Sequence, residues 1–208
     1  MTICVLSIAK GMIVKMFNLE KMSHKIINVL FKNSGVDELT KAKAEYGLSL
    51  LLGIFIELSF CLLIAGILGL FRETFLLMFF SLIVRVFAGG AHCSSYGRCL
   101  SFTIFFYIFF SYLAKYLSIF LPANLLYGLS LSLLFLVITI YLFRKTPPLF
   151  KIILFLDGVI LISFWLLGIA ADYIFIVNLG ILLQSLMGTE TGSYIVKSID
   201  TWMIKIGI

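Results

Sequence analysis

Charge is scarce in this chain: Asp, Glu, Lys and Arg make up only 12% of its residues, against 62% hydrophobic ones. A water-soluble domain carries about 25% charged residues because its surface must be wetted. A surface this poor in charge must largely meet lipid. Proline is nearly missing, with three in the whole chain. The long Leu, Ile and Phe runs also lack the apolar and polar alternation of barrel strands, which leaves helices. The four cysteines (Cys4, Cys61, Cys93 and Cys99) are too scattered for a disulfide scaffold, and no CxxC metal pair occurs among them. There is no internal repeat and no low-complexity segment. No small-residue cleavage site follows the apolar N-terminus, so we expect no cleaved signal peptide and targeting by the spans themselves.

What is present is a polytopic, all-α integral membrane protein. We expect one membrane-embedded domain over residues 1–208, in three parts: an amphipathic cytoplasmic-face segment at 1–46, a transmembrane bundle at 47–188 and a cytoplasmic tail at 189–208. In the first part Met12, Ile13, Met16, Leu19, Met22, Ile26, Ile27 and Leu30 recur at helical steps, with Lys15, Lys21, Lys25 and Lys32 beside them. That pattern suits a helix lying on an anionic bilayer surface, or one packed against the rest of the protein. Asn33, Ser34, Gly35 and Asp37 mark a turn after it.

Six spans are expected, at about 47–70, 74–88, 100–121, 124–143, 151–169 and 172–188, since roughly 20 apolar residues cross a bilayer. With both termini in the cytoplasm, every basic residue except Arg72 and Lys115 falls on the inner side, as the positive-inside rule requires. The net charge of +6 is then explained by orientation and anionic lipid, without nucleic acid. Thr146–Pro148 reads as a cytoplasmic turn. Glu57, Lys115 and Asp157 interrupt the apolar runs and should be paired, neutral or in a wet cavity.

One stretch breaks the lipid-facing pattern altogether: Arg85 to Cys99, RVFAGGAHCSSYGRC. Polar groups held there must face protein or water, which makes the stretch a candidate site. His92 and Cys99 could carry a reaction, since a cysteine attacks as thiolate and a histidine can take its proton and return it to a leaving amine. Seven residues of straight helix would separate the two by about 10.5 Å, while proton transfer needs roughly 3 Å. The segment must therefore bend, and Gly89, Gly90, Ser94, Ser95 and Gly97 supply turn residues. Cys93 is a rival nucleophile, but as the neighbour of His92 it would point elsewhere on a regular helix or strand. Arg85 could favour the thiolate, hold a substrate carboxylate, or snorkel to the interface. Gly90 could admit a substrate backbone, donate an amide to an oxyanion, or simply turn the chain.

The pattern Arg85-x4-Gly90-x-His92-x6-Cys99 with its double glycine closely resembles the accessory gene regulator protein B (AgrB-like) family of Gram-positive bacteria. Glu45-Tyr46-Gly47 before the first span and the basic amphipathic N-terminus are similar too, and the likeness covers nearly the whole chain. The resemblance implies a membrane cysteine endopeptidase of the bacterial cell membrane that processes the precursor of a cyclic autoinducing peptide. It maps the nucleophile to Cys99, its base to His92, and supporting positions to Arg85, Gly89 and Gly90. It implies an AgrD-like peptide precursor as substrate, cleavage near the precursor's C-terminus through an acyl-enzyme thioester, and closure of a thiolactone or lactone ring. No metal or cofactor is implied, and a homodimer is an expectation carried by the family. The loop RKTPPLFK is shorter than the charged loop the family leads one to expect. Gln184 and Asn178 are candidates for a third, orienting residue.

Two other functions fit the same residues. A small transporter or peptide exporter would line its path with Glu57, Lys115 and Asp157. A metal-binding membrane protein would use His92, Cys93 and Cys99.

Overall fold

A computed structural model describes residues 19–32, 35–142, 148–168 and 171–207. Cys4, the apolar positions before Leu19, the Asn33–Ser34 pair and most of the Thr146–Pro148 turn lie outside the described residues. Among the described residues the chain forms eight α-helices and no strand: α1 (Leu19–Leu30), α2 (Glu38–Ile67), α3 (Phe71–Ala88), α4 (Tyr96–Phe120), α5 (Ala123–Leu142), α6 (Pro148–Leu167), α7 (Ala171–Met187) and α8 (Glu190–Lys205). Helices α2 to α7 stand where the sequence places its six spans. By length and composition alone α2, α4 and α5 are each able to cross a membrane. Helix α3 carries three charges (Arg72, Glu73 and Arg85) on an otherwise apolar surface. The protein is thus an all-α polytopic membrane protein.

Two packing units divide the chain, Met1–Phe60 and Cys61–Gly207. In the first, α1 buries Ser23 and Ile27, one helical turn apart, while Met22, Ile26, Val29 and Leu30 are exposed. Its His24 Nδ1 lies 2.9 Å from a Glu45 carboxylate oxygen. Asp37 opens α2 by accepting from the Thr40 amide at 3.1 Å, the usual way a short acid satisfies a helix N-terminus.

The second unit is built around α7. Ile174 to Ser185 are all buried, as expected of a helix apolar on every side. Helix α3 approaches it closely at Gly180, where a Cβ would stand 2.7 Å from the Leu77 carbonyl oxygen. There the Ser81 hydroxyl donates to the Gly180 carbonyl at 2.9 Å. On the other side Val84, Leu134, Val137, Tyr141, Val177, Ile181 and Leu182 form one apolar cluster joining α3, α5 and α7. Helix α4 turns inward one stripe, Cys99, Thr103, Tyr107, Ser111 and Ala114, spaced by three or four residues. Phe105, Phe109, Tyr112 and Tyr116 on its other side stay exposed, facing where lipid would lie.

At the end of the unit opposite the Cys99 loop, Arg72 pairs with Glu73 of its own helix at 2.9 Å and joins α3 to α7 through Asp172 at 3.2 Å. The Lys115 ammonium donates to the Gly69 carbonyl at 2.7 Å. In the interior, Asp157 Oδ2 and Asn178 Oδ1 are buried with no hydrogen-bond partner among the described residues.

The expected tail is itself a helix. It does not prolong α7, since the two are bent by 80°. Thr189 caps α8 by accepting from the Gly192 amide at 3.1 Å. Gly192 is required at the bend because a Cβ there would run into the Leu186 carbonyl and the backbone of Met187.

Candidate active site

The site is assembled where α3 stops and α4 starts. Helix α3 ends on Gly89, whose φ of 69° and ψ of −156° fall in a region open to glycine and strained for other residues. Its amide still donates to the Arg85 carbonyl at 2.9 Å, so the last turn closes before the chain leaves the helix axis. Its own carbonyl accepts from Gln184 Nε2 on α7, also at 2.9 Å. Gly90 lies against the same two side chains: a Cβ there would stand 3.1 Å from Gln184 Nε2 and 3.9 Å from Arg85 Nε. To the three uses the sequence leaves open for Gly90 the structure adds a fourth, room for Gln184 beneath the loop.

After the glycine pair the chain is irregular to Ser95, the bend the His92 to Cys99 spacing demands. Ser95, extended at φ −135° and ψ 148°, caps α4 through its side chain. The Cys99 amide closes the first turn onto the Ser95 carbonyl at 3.1 Å. Cys99 thus stands at the first turn of a 25-residue helix and is 8% exposed. The helix dipole directs positive potential at groups placed there.

Arg85 and His92 meet. One terminal guanidinium nitrogen lies 3.3 Å from Nδ1 and 3.4 Å from Nε2 of the ring. Loss of hydration within the loop, and secondly the Arg85 charge, hold the His92 pKa below its ordinary 6.5, although part of the residue still reaches solvent. The imidazole is therefore biased to the neutral form, the form able to accept a proton.

Cys93 and its neighbour His92 have different partners, Arg85 for His92 and Cys99 for Cys93. Residues 89–95 are neither helix nor strand, and the Cys93 thiol hydrogen-bonds with Cys99. Burial first, then Cys99 and Asp200, push the Cys93 thiol up to about 12. It stays protonated and is a poor nucleophile. Among the described residues no three His, Cys, Asp or Glu side chains come together to hold a metal ion. His92, Cys93 and Cys99 stand as two pairs, His92 with Arg85 and Cys93 with Cys99.

The residue that sequence reasoning missed is Asp200, on α8. Its Oδ2 accepts from the Ser94 amide at 3.1 Å and from the Ser94 hydroxyl at 2.6 Å. Its Oδ1 accepts from Arg98 Nε at 2.6 Å, and Arg98 donates again to the Ser94 hydroxyl at 2.6 Å. The Ser94 hydroxyl, then Arg98, hold the carboxyl below the usual Asp range. Asp200 lies between Lys197 and Lys205 in a tail that also carries Glu190, and that pattern gave no sign of this. Of the two orienting candidates, Gln184 is in the site. Asn178 is not: it is fully buried and donates to Ile174 of its own helix at 3.1 Å.

A family model described as accessory gene regulator B matches residues 23–188. The chain belongs to the accessory gene regulator B family. Membership places it in the accessory gene regulator quorum-sensing system, with a peptide precursor as its partner. The matched residues take in α2 to α7 and the whole Arg85 to Cys99 loop, and stop before α8. No curated protein and no solved structure matches the chain.

Proposed function

We propose that the protein is a membrane cysteine endopeptidase that cleaves a quorum-sensing precursor near its C-terminus and promotes closure of the autoinducing peptide ring. The observation that carries this reading is the family match across the loop that sets Cys99 at the first turn of α4 and carries, seven residues before it, a histidine biased to its neutral form. Cys99 is the nucleophile and His92 the base. In the resting arrangement His92 rests on Arg85; the glycine pair gives its loop the freedom to bring the ring to the sulfur when substrate fills the site.

The chemistry then runs in two transfers. His92 takes the Cys99 proton as the sulfur attacks the scissile carbonyl. The tetrahedral adduct collapses with the amine leaving on the proton His92 returns, and the precursor's N-terminal part stays on Cys99 as a thioester. A thiol or hydroxyl side chain of that peptide attacks the thioester carbonyl next. Ring closure as thiolactone or lactone releases the Cys99 thiol. The positive-inside bias supports an orientation with both termini in the cytoplasm and this loop at the inner face of the cell membrane.

The test is precursor cleavage in membranes or proteoliposomes. Cys99→Ser and His92→Ala should abolish cleavage, and Cys93→Ser should retain most of it. Normal cleavage by Cys99→Ser would remove the nucleophile from the proposal. A function in transport would instead depend on Glu57.

A further inference from the structure

Asp200 stands on the helix that follows the sharp bend after α7, outside the residues matched by the family model. Nevertheless its two carboxylate oxygens are spent on the seven-residue neighbourhood of the candidate nucleophile. Oδ2 takes the Ser94 amide and hydroxyl, and Oδ1 takes Arg98 Nε. The Arg98 to Ser94 hydrogen bond closes this into a ring of three side chains. Its members bracket Ser95, the residue whose side chain caps α4 and whose carbonyl receives the Cys99 amide. Asp200 is 8% exposed, and the side chains of the Arg98–Asp200 pair are 18% and 12% exposed, so the ion pair is largely shielded from competing water while Ser94 is exposed. An ion pair that also satisfies a backbone amide and a hydroxyl is geometrically specific in a way a solvent-exposed pair is not.

We infer that Asp200 is a positioning residue for Cys99: from α8 it locks the Ser94–Arg98 turn and so fixes where the sulfur points and how far it is covered. This rests on Cys99 being the nucleophile for its effect on cleavage, but the covering of the thiol is a property of the fold alone. Misplacing a reacting atom by about 1 Å costs on the order of 100-fold in rate, and releasing the turn should also uncover a thiol that is now buried. The two effects have opposite signs.

The experiment compares the full-length protein and its Asp200→Ala variant in proteoliposomes, measuring precursor cleavage and alkylation of each cysteine by iodoacetamide, resolved by peptide mass. Expected is a fall in kcat of about 10- to 100-fold with KM within about twofold, together with faster alkylation of Cys99. Cys61, fully buried on α2, is the internal control and should stay unreactive. Asp200→Asn, which keeps an acceptor for Ser94, should fall between. If Asp200→Ala does not accumulate in the membrane, Ser94→Ala deletes one hydroxyl of the same ring and should shift both readouts in the same directions by less. Unchanged cleavage with unchanged Cys99 alkylation would overturn the inference, as would equal unmasking of Cys61, which would make the role purely structural. If Cys99→Ser cleaves normally, the peptidase proposal fails, while the alkylation result still decides the Asp200 lock.

Discussion

The Arg85 guanidinium lies within 3.4 Å of both ring nitrogens of His92, and this bears on the proposed role of His92 as base. A proton acceptor must be neutral, and both the partial burial of His92 and the Arg85 charge penalise its protonated form. His92 therefore remains a competent base to lower pH than a free imidazole, and the acid limb of kcat/KM should fall below 6.5. Arg85→Gln removes one of the two causes and should move that limb upward, toward but not beyond the ordinary value, since burial remains. Profiles of precursor cleavage between about pH 5 and 8 check this; an acid limb that stayed put would uncouple the two residues. Cys93, pushed up to about 12, should be alkylated far more slowly than a free thiol at neutral pH, because the thiolate is the reacting form. Peptide mapping after brief iodoacetamide treatment reads this directly.

At the scale of the elements, stability is concentrated where backbones come close or leave helical geometry. Gly180→Ala places a methyl 2.7 Å from the Leu77 carbonyl oxygen and must push α3 from α7, at a cost of about 1–3 kcal/mol. A lower unfolding temperature in detergent is the expected outcome. Gly89→Ala should cost about 1–3 kcal/mol for a φ and ψ that glycine alone adopts readily. It should also loosen the Gln184 contact on which the loop rests. Thr189→Ala removes the α8 cap and should cost about 1 kcal/mol. Because α8 carries Asp200, this last change should lower cleavage as well as stability, although the Thr189 hydroxyl bonds to Leu186 and Gly192 rather than to the loop.

The helices of α2 to α7 were legible because lipid imposes long apolar runs, and their positions follow from counting. The bend before α4 was legible too, since Gly89, Gly90, Ser94, Ser95 and Gly97 leave little else. The pairings were not. Nothing local says that Arg85 turns to His92 or Cys93 to Cys99, because neighbour rules need a regular backbone and residues 89–95 have none. Asp200 was invisible for a different reason: it meets Ser94 across 106 positions of sequence, and a single sequence does not encode such a distance.

For the molecule as a whole, the charge asymmetry predicts an orientation that reporter fusions can check. A fluorescent protein at the C-terminus should glow and alkaline phosphatase there should be silent, with the reverse outcome near Lys115.

Helix α7 is the centre of the second unit, yet it follows α3, α4 and α5 in the chain. During synthesis α3, α4 and α5 reach the membrane before the helix they pack around exists, and the loop with Cys99 precedes Gln184 by 95 positions from Gly89. The nascent chain therefore carries its cysteine without the parts that shape it. A ribosome stalled before α7 would leave the Arg85 to Cys99 loop without Gln184 and Asp200, so the order of translation sets assembly of this site after α7 and α8 are made.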